Sequence, residues 1–153
     1  MMRSIKVLSF LLTYPSAAHQ EVLCECMEIL EKEKGLSAKA LQAVSELCQW
    51  MGSHPLLDVQ EEYVNLFDRT PSLCLHLFEH IHGDSRERGQ AMVDLDEIYK
   101  SAGLVMSPGE MPDFLPLFLE YLSTLAPEEA YRNLGDVGSV LAAIGERLKK
   151  RQS

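Results

Sequence analysis

β-Branched residues, long apolar runs, basic clusters and pairable cysteines are all scarce in this chain, and each deficit closes off a class of protein. Val, Ile and Thr are few beside Leu, Ala, Glu and Met, which favours helices over a sheet. No stretch approaches the ~20 apolar residues of a membrane span, so an integral membrane protein is not expected. The apolar opening over residues 5–12 is followed only by Pro15, Ser16, Ala17 and Ala18, a faint cleavage signal at best. Lys149, Lys150 and Arg151 form the only basic cluster, at a helix end where cations suit the macrodipole. With a formal net charge of −9 the chain offers no face to nucleic acid. An acidic body would instead attract a cationic partner segment. The four cysteines, Cys24, Cys26, Cys48 and Cys74, are scattered. Cys24 and Cys26 point about 200° apart on a helix, so they neither pair nor share a metal. Four reduced thiols and no leader predict a cytoplasmic protein.

What is present is ordinary globular material: 153 residues, 46% hydrophobic and 24% charged. That length suits one domain over residues 1–153 and removes roughly 70% of the unfolded surface from water on folding, enough for a core without disulfides or metal. Helical stripes recur along it. Residues 3–14 carry Ile5, Leu8, Leu11 and Leu12, stopped by Pro15. Ser16 caps a second helix over 17–34, with Val22, Leu23, Cys26, Met27 and Leu30 inward and Gly35 beyond its end. Ser37 caps a third to Met51, with Leu41, Val44, Leu47 and Cys48 inward. Asp58-Val59-Gln60-Glu61 reads as a capping box opening a fourth over 59–67. A fifth spans 73–82, ended by Gly83. Asp84-Ser85-Arg86-Glu87, a second capping box, opens a sixth with Met92, Leu95, Ile98 and Tyr99 inward and Gly103 at its close. Residues 104–111 are a loop; 112–122 are apolar almost all round, marking a helix central to the core or facing a partner. Pro127 begins an eighth, and 136–150 a ninth with Val137, Val140, Leu141, Ile144 and Leu148. With no strand pattern, repeat or linker, the fold class is all-α: a single-domain bundle of eight to nine helices.

The charged run from Phe78 to Leu95 holds the functional question, and four chemistries compete for it. His76, Glu79 and His80 spell H-x-x-E-H, in which two imidazoles four apart grip zinc and the glutamate activates water. A zinc-dependent hydrolase is therefore the alternative function, though no second motif offers a third ligand. Nucleophilic catalysis by Ser72, Ser85 or Cys74 lacks a G-x-S-x-G elbow and an oxyanion hole. Phosphate binding lacks a P-loop or G-x-G-x-x-G, leaving only Arg86 and Arg88 at a helix start. Peptide recognition needs apolar walls with a few polar fixers, which the 112–122 helix with Glu79, Asp84, Asp113 and Glu120 would supply.

These residues carry a resemblance. Glu62-Tyr63-x-x-Leu66-Phe67-Asp68, Leu77-Phe78-Glu79-His80-x-His82-Gly83-Asp84-Ser85-Arg86-x-Arg88-Gly89-Gln90-Ala91-Met92-Val93-Asp94-Leu95 and Pro112-Asp113-x-Leu115-Pro116-Leu117-x-Leu119-Glu120-Tyr121-Leu122-Ser123 resemble the nitrate reductase delta subunit family, the nitrate reductase assembly chaperones. The match spans residues 5–151, and His76 lies outside the pattern. It implies the TorD-like helical fold of the TorD and DmsD maturation chaperones, and a non-enzymatic role. The implied partner is the catalytic (alpha) subunit of nitrate reductase, chiefly its N-terminal segment, with the proteins of molybdenum cofactor biosynthesis as further partners. Such a chaperone holds no cofactor stably. It keeps the apoenzyme open for bis-molybdopterin guanine dinucleotide and the nearby iron–sulfur cluster, and delays docking onto the membrane subunit. The resemblance places the client-peptide site at Asp113, Leu117, Glu120 and Tyr121, with Glu79, His80, His82, Asp84, Arg86 and Arg88 as a polar rim and Tyr63 in the wall. His80 and His82 would make affinity pH-dependent near their reference pKa of about 6.5. Family members usually continue beyond this end point, which implies a C-terminally shortened chain.

Overall fold

The apolar stretch expected to be helical from Pro112 becomes a helix only at Leu115, and it forms the middle of the molecule. The computed structural model describes residues 2–151. It contains α1 (Arg3–Leu11), α2 (Ala17–Glu33), α3 (Ala38–Ser53), α4 (Leu56–Tyr63), α5 (Leu77–Ile81), α6 (Glu87–Ser101), α7 (Leu115–Ser123), α8 (Pro127–Asp136) and α9 (Gly138–Lys150). In α7, Leu115, Pro116, Phe118, Leu119, Tyr121, Leu122 and Ser123 are all buried. Removing a side chain such as Leu122 from water is worth about 1.5–3 kcal/mol. Of the two roles open to this helix, core is therefore the one it fills with most of its surface.

Helix α1 packs most extensively against α7. It also divides the interior. Met2 and Ile5 join α5, α6, α7 and α8 in one apolar cluster with Leu77, Tyr99 and Leu122, whereas Val7 and Leu11 join α2, α3 and α4 in another with Leu23, Leu30 and Met51. Polar contacts fix the α1–α7 register: Ser9 Oγ donates to the Pro116 carbonyl at 2.5 Å, and Lys6 Nζ pairs with Glu120 at 2.7 Å. No side chain caps the start of α1 locally. Its free amides are met from another helix, with Arg3 N and Ser4 N donating to Glu33 of α2 at 3.0 and 2.9 Å.

The α1–α2 turn is held by His19, which is 4% exposed. Its Nδ1 accepts from the Ser16 amide at 3.1 Å, which fixes the tautomer, so Nε2–H donates to the Phe10 carbonyl at 2.9 Å. The ring stacks on Phe10 with centroids 4.0 Å apart. Burial pushes its pKa below 6.5, against the opposing effect of the Phe10 carbonyl.

Several expectations need correction. α2 ends at Glu33, and Lys34 rather than Gly35 takes the left-handed conformation (φ 54°) just beyond it. α4 begins at Leu56 after Pro55, not at Val59, so Asp58 lies in its first turn and is no cap. Its continuation, Val64–Asp68, widens into a π-turn. The fifth helix is shorter than expected, because Pro71–Leu73 is a 3₁₀ turn and residues 74–76 are non-helical, with a bend at Leu75 and an extended His76. That segment pairs antiparallel with the segment before α7 through a bridge of His76 with Phe114, the only sheet-like pairing among the described residues. α6 starts at Glu87, and the local bond at its start is Ser85 Oγ accepting from the Glu87 amide at 3.2 Å; Asp84 takes no part. Leu47 and Ile98, read as inward, are 43% and 46% exposed. Among the described residues, no helix is long and apolar enough to cross a membrane.

Candidate functional site

Asp113 is the pivot of the charged region. A turn over residues 111–114, closed by the Phe114 amide on the Met111 carbonyl at 3.1 Å, and the extended Phe114 keep this segment out of α7, and its backbone pairs instead: Leu77 N donates to the Asp113 carbonyl at 3.0 Å and Leu115 N to the Leu75 carbonyl at 2.7 Å. The carboxylate itself is 0% exposed. It accepts from the Phe78 amide at 3.1 Å, in the first turn of α5, and faces His76 Nδ1 at 3.4 Å. A buried carboxylate needs such partners. The Asp113 hydrogen bond pushes the His76 pKa above 6.5, outweighing partial burial of the ring. The His76 ring also lies against Phe114, with centroids 5.3 Å apart. Asp113, expected to meet a peptide, thus holds α5 against the entry to α7.

A second polar group gathers beside it. Cys74 Sγ donates to Glu79 Oε2 at 2.9 Å, and Glu79 Oε1 meets Arg88 of α6 at 3.5 Å. His80 Nε2 donates to the Cys74 carbonyl at 2.8 Å. Burial and the Glu79 hydrogen bond push the Cys74 thiol up to about 11, so it is a donor and not a nucleophile. His82 ends α5 with its ring edge-on to Phe78 at 5.2 Å. Gly83, at φ 54°, turns the chain toward α6, a conformation that costs glycine little. Asp84 and Arg86 are exposed and make no side-chain hydrogen bond among the described residues.

The zinc reading fails on this geometry. His76 precedes α5 in an extended conformation, so it and His80 do not share a helical face. Its Nδ1 faces Asp113, while His80 Nε2 is taken by a carbonyl. Among the described residues no group of three or more His, Cys, Asp or Glu is arranged to hold a metal ion.

The other expected residues lie elsewhere on α7 and α4. Glu120 turns toward α1 and pairs with Lys6, away from the Glu79 group. Leu117 is half-buried against the main cluster. Tyr121 is buried with its ring on Tyr99, centroids 5.2 Å apart. Tyr63 donates its hydroxyl to the Leu12 carbonyl at 2.8 Å and packs edge-on to Phe67 at 5.1 Å, so it braces the α1–α2 turn. The structure therefore joins Glu79, His80, Arg88 and Asp113 around α5, and separates them from Glu120 and Tyr63.

Two hollows flank α7. One, of about 300 Å³, is lined entirely by apolar side chains, among them Leu8 and Leu12 of α1, Val44 and Leu47 of α3, and Leu115 and Leu119 of α7. Leu47 is exposed because it stands at this hollow with nothing packed over it. The second, about 570 Å³ and shallow, lies between α6 and Tyr121, and Asp94, Glu97 and Ile98 line it. Sequence reasoning expected an apolar wall along the 112–122 helix but named none of the α1 and α3 residues that face it, and it missed the second hollow. The available signal was apolar residues at core spacing in helices whose inner faces were already full.

An all-helical fold with α7 at its centre, a buried Pro-Asp entry to it and a charged turn packed on that entry is the frame on which the quoted motifs lie. The profile described as nitrate reductase delta subunit matches residues 33–153. The chain belongs to the nitrate reductase delta subunit family. It is 41% identical over 152 residues to the nitrate reductase molybdenum cofactor assembly chaperone NarJ of Escherichia coli strain K12, covering 99% of this chain and 64% of that protein. NarW of the same strain, a probable chaperone of the same kind, is also 41% identical over 152 residues, with 99% and 63% covered. The chain thus spans less than two thirds of the length of these curated relatives. Among solved structures, a candidate redox enzyme maturation protein from Archaeoglobus fulgidus superposes with a TM-score of 0.56 at 23% identity, covering 81% of this chain and 71% of that one. That likeness shows the shared all-helical fold.

Proposed function

We propose that the chain is a cytoplasmic, non-enzymatic assembly chaperone for nitrate reductase. It binds the N-terminal segment of the catalytic subunit and keeps the apoenzyme open while the molybdenum cofactor, bis-molybdopterin guanine dinucleotide, and an iron–sulfur cluster are inserted. It delays docking onto the membrane subunit until loading is complete. The cofactor belongs to the client throughout. The observation that carries this reading is 41% identity, over 99% of the chain, to a protein named as such a chaperone. The geometry agrees: the apolar hollow beside α7 suits the apolar side of a bound segment. The α5–α6 turn with Glu79, His80, His82, Asp84, Arg86 and Arg88 offers polar groups for its flanks, and Asp113 holds that turn in place. The test is calorimetry with the client's N-terminal peptide against His80→Ala, Glu120→Ala and Tyr121→Ala. Weakened binding in at least one supports the site; unchanged affinity in all three removes it.

A further inference from the structure

Helix α3 is anchored at one end. In its last turns Cys48 and Met51 are buried, and Gln20 of α2 donates from Nε2 to the carbonyls of Met51 and His54 at 3.1 and 2.9 Å. Gly52 lets the two helices come close there, since a β-carbon in its place would stand 3.3 Å from Leu23 Cδ1. Residues 38–47 have no such anchor. None of them is buried, and among the described residues their side chains hydrogen-bond only within α3, from Gln42 to Glu46 at 3.4 Å. The turn leading into them is exposed at Lys34, Gly35 and Ser37.

That loosely held half carries an apolar stripe. Leu41 and Val44, three apart, are only half-buried, and Leu47, a further three along, is 43% exposed. Val44 and Leu47 line the hollow of about 300 Å³ together with Leu134 of α8 and Leu141 of α9, and no lining residue is polar. The main packing partner of α3 is α2, so it meets α8 and α9 across this hollow.

We propose that residues 38–47 form a movable wall, which swings toward α8 and α9 when apolar side chains of the client segment enter the hollow, and so closes on them. The proposal rests on the chaperone reading for the source of the segment. The hollow has roughly twice the ~150 Å³ of a cavity that takes one benzene, so it holds a few side chains of one polypeptide. A second copy of this chain would need about 800 Å² of matching surface, far more than the hollow offers. Swinging inward takes Leu41, Val44 and Leu47 out of water, which favours closure. With the hollow empty, closure would leave its lining without atoms to touch, so the wall stays out until the segment arrives.

The experiment places nitroxide labels on Ala43→Cys and Ala142→Cys, both exposed positions, in the whole chain with Cys24→Ser; the remaining cysteines are buried. Double electron–electron resonance reads the distance between them with and without the N-terminal peptide of the nitrate reductase catalytic subunit. The expected result is a distance that shortens by about 2 Å or more when the peptide binds. A second pair, with Gln49→Cys at the anchored end in place of Ala43→Cys, should keep its distance. In the unlabelled chain, amide exchange over residues 38–47 should slow about tenfold or more on binding. If the peptide binds while the Ala43–Ala142 distance stays the same or lengthens, if the Gln49 pair shortens equally, or if exchange over 38–47 is unchanged, the movable wall is overturned and the chaperone reading stands. If the unlabelled chain binds no such peptide, the chaperone reading fails and the proposal with it.

Discussion

Replacing Asp113 by Asn keeps the shape of the α5–α7 junction and removes its charge, so the cost can be worked out from the contacts. The Phe78 amide, 3.1 Å from the carboxylate, would still find an amide oxygen. A charge-assisted bond becomes a neutral one, a loss of about 1 kcal/mol. His76 loses its ionic partner, but its side chain is 37% exposed, so solvent screens the pair to less than about 1 kcal/mol. The second part depends on pH. Asp113 raises the His76 pKa in the folded chain above the 6.5 of the free side chain. The pair's contribution is therefore fully present below about pH 6.5 and is lost as pH rises through the folded pKa. Urea unfolding of both proteins should show a stability difference of about 1–2 kcal/mol near pH 5.5, falling to about 1 kcal/mol near pH 8.5. His19 titrates in both proteins and cancels in the difference. A difference that grows with pH, or a variant as stable as the wild type, would show that Asp113 does not hold the junction in this way.

His19→Ala removes a stacked, doubly bonded imidazole and should cost about 2–4 kcal/mol by urea unfolding. Because the folded pKa of His19 is lowered, its contribution is present above about pH 6.5 and lost as pH falls, so the penalty should shrink in acid. Leu122→Ala, at a fully buried position of α7, should cost about 3 kcal/mol and lower the melting temperature accordingly. In the native chain at about pH 8 a thiol reagent should modify Cys24, which is exposed, well before Cys26, Cys48 and Cys74, which are buried. Mass spectrometry of the peptides reads the order, and early labelling of Cys74 would contradict its placement.

Much of the fold was legible because the 3.6-residue period of Leu, Val and Ile is strong and because Pro15, Gly83, Pro112 and Pro127 punctuate it. Boundaries were lost where tertiary contacts replaced local ones. The start of α1 is capped by Glu33 of another helix, which no neighbouring residue announces. The segment from Cys74 to His76 reads as helix locally but is held out of the helix by pairing with residues 113–115. At the candidate site, Asp113 was expected to meet a peptide, and its burial comes from that same pairing. Glu79, His80 and Arg88 do come together, while Glu120 faces Lys6. Leu47 and Ile98 were taken for core because spacing reports which face a residue is on, and not whether anything lies over it.

In the proposed role this chain grips the leading segment of an immature nitrate reductase catalytic subunit. Titration calorimetry of the whole chain with that apo-subunit, intact and lacking its N-terminal segment, tests it most directly. Saturable binding that the deletion abolishes or greatly weakens is the predicted result. Equal binding to both forms, or none to either, would contradict it.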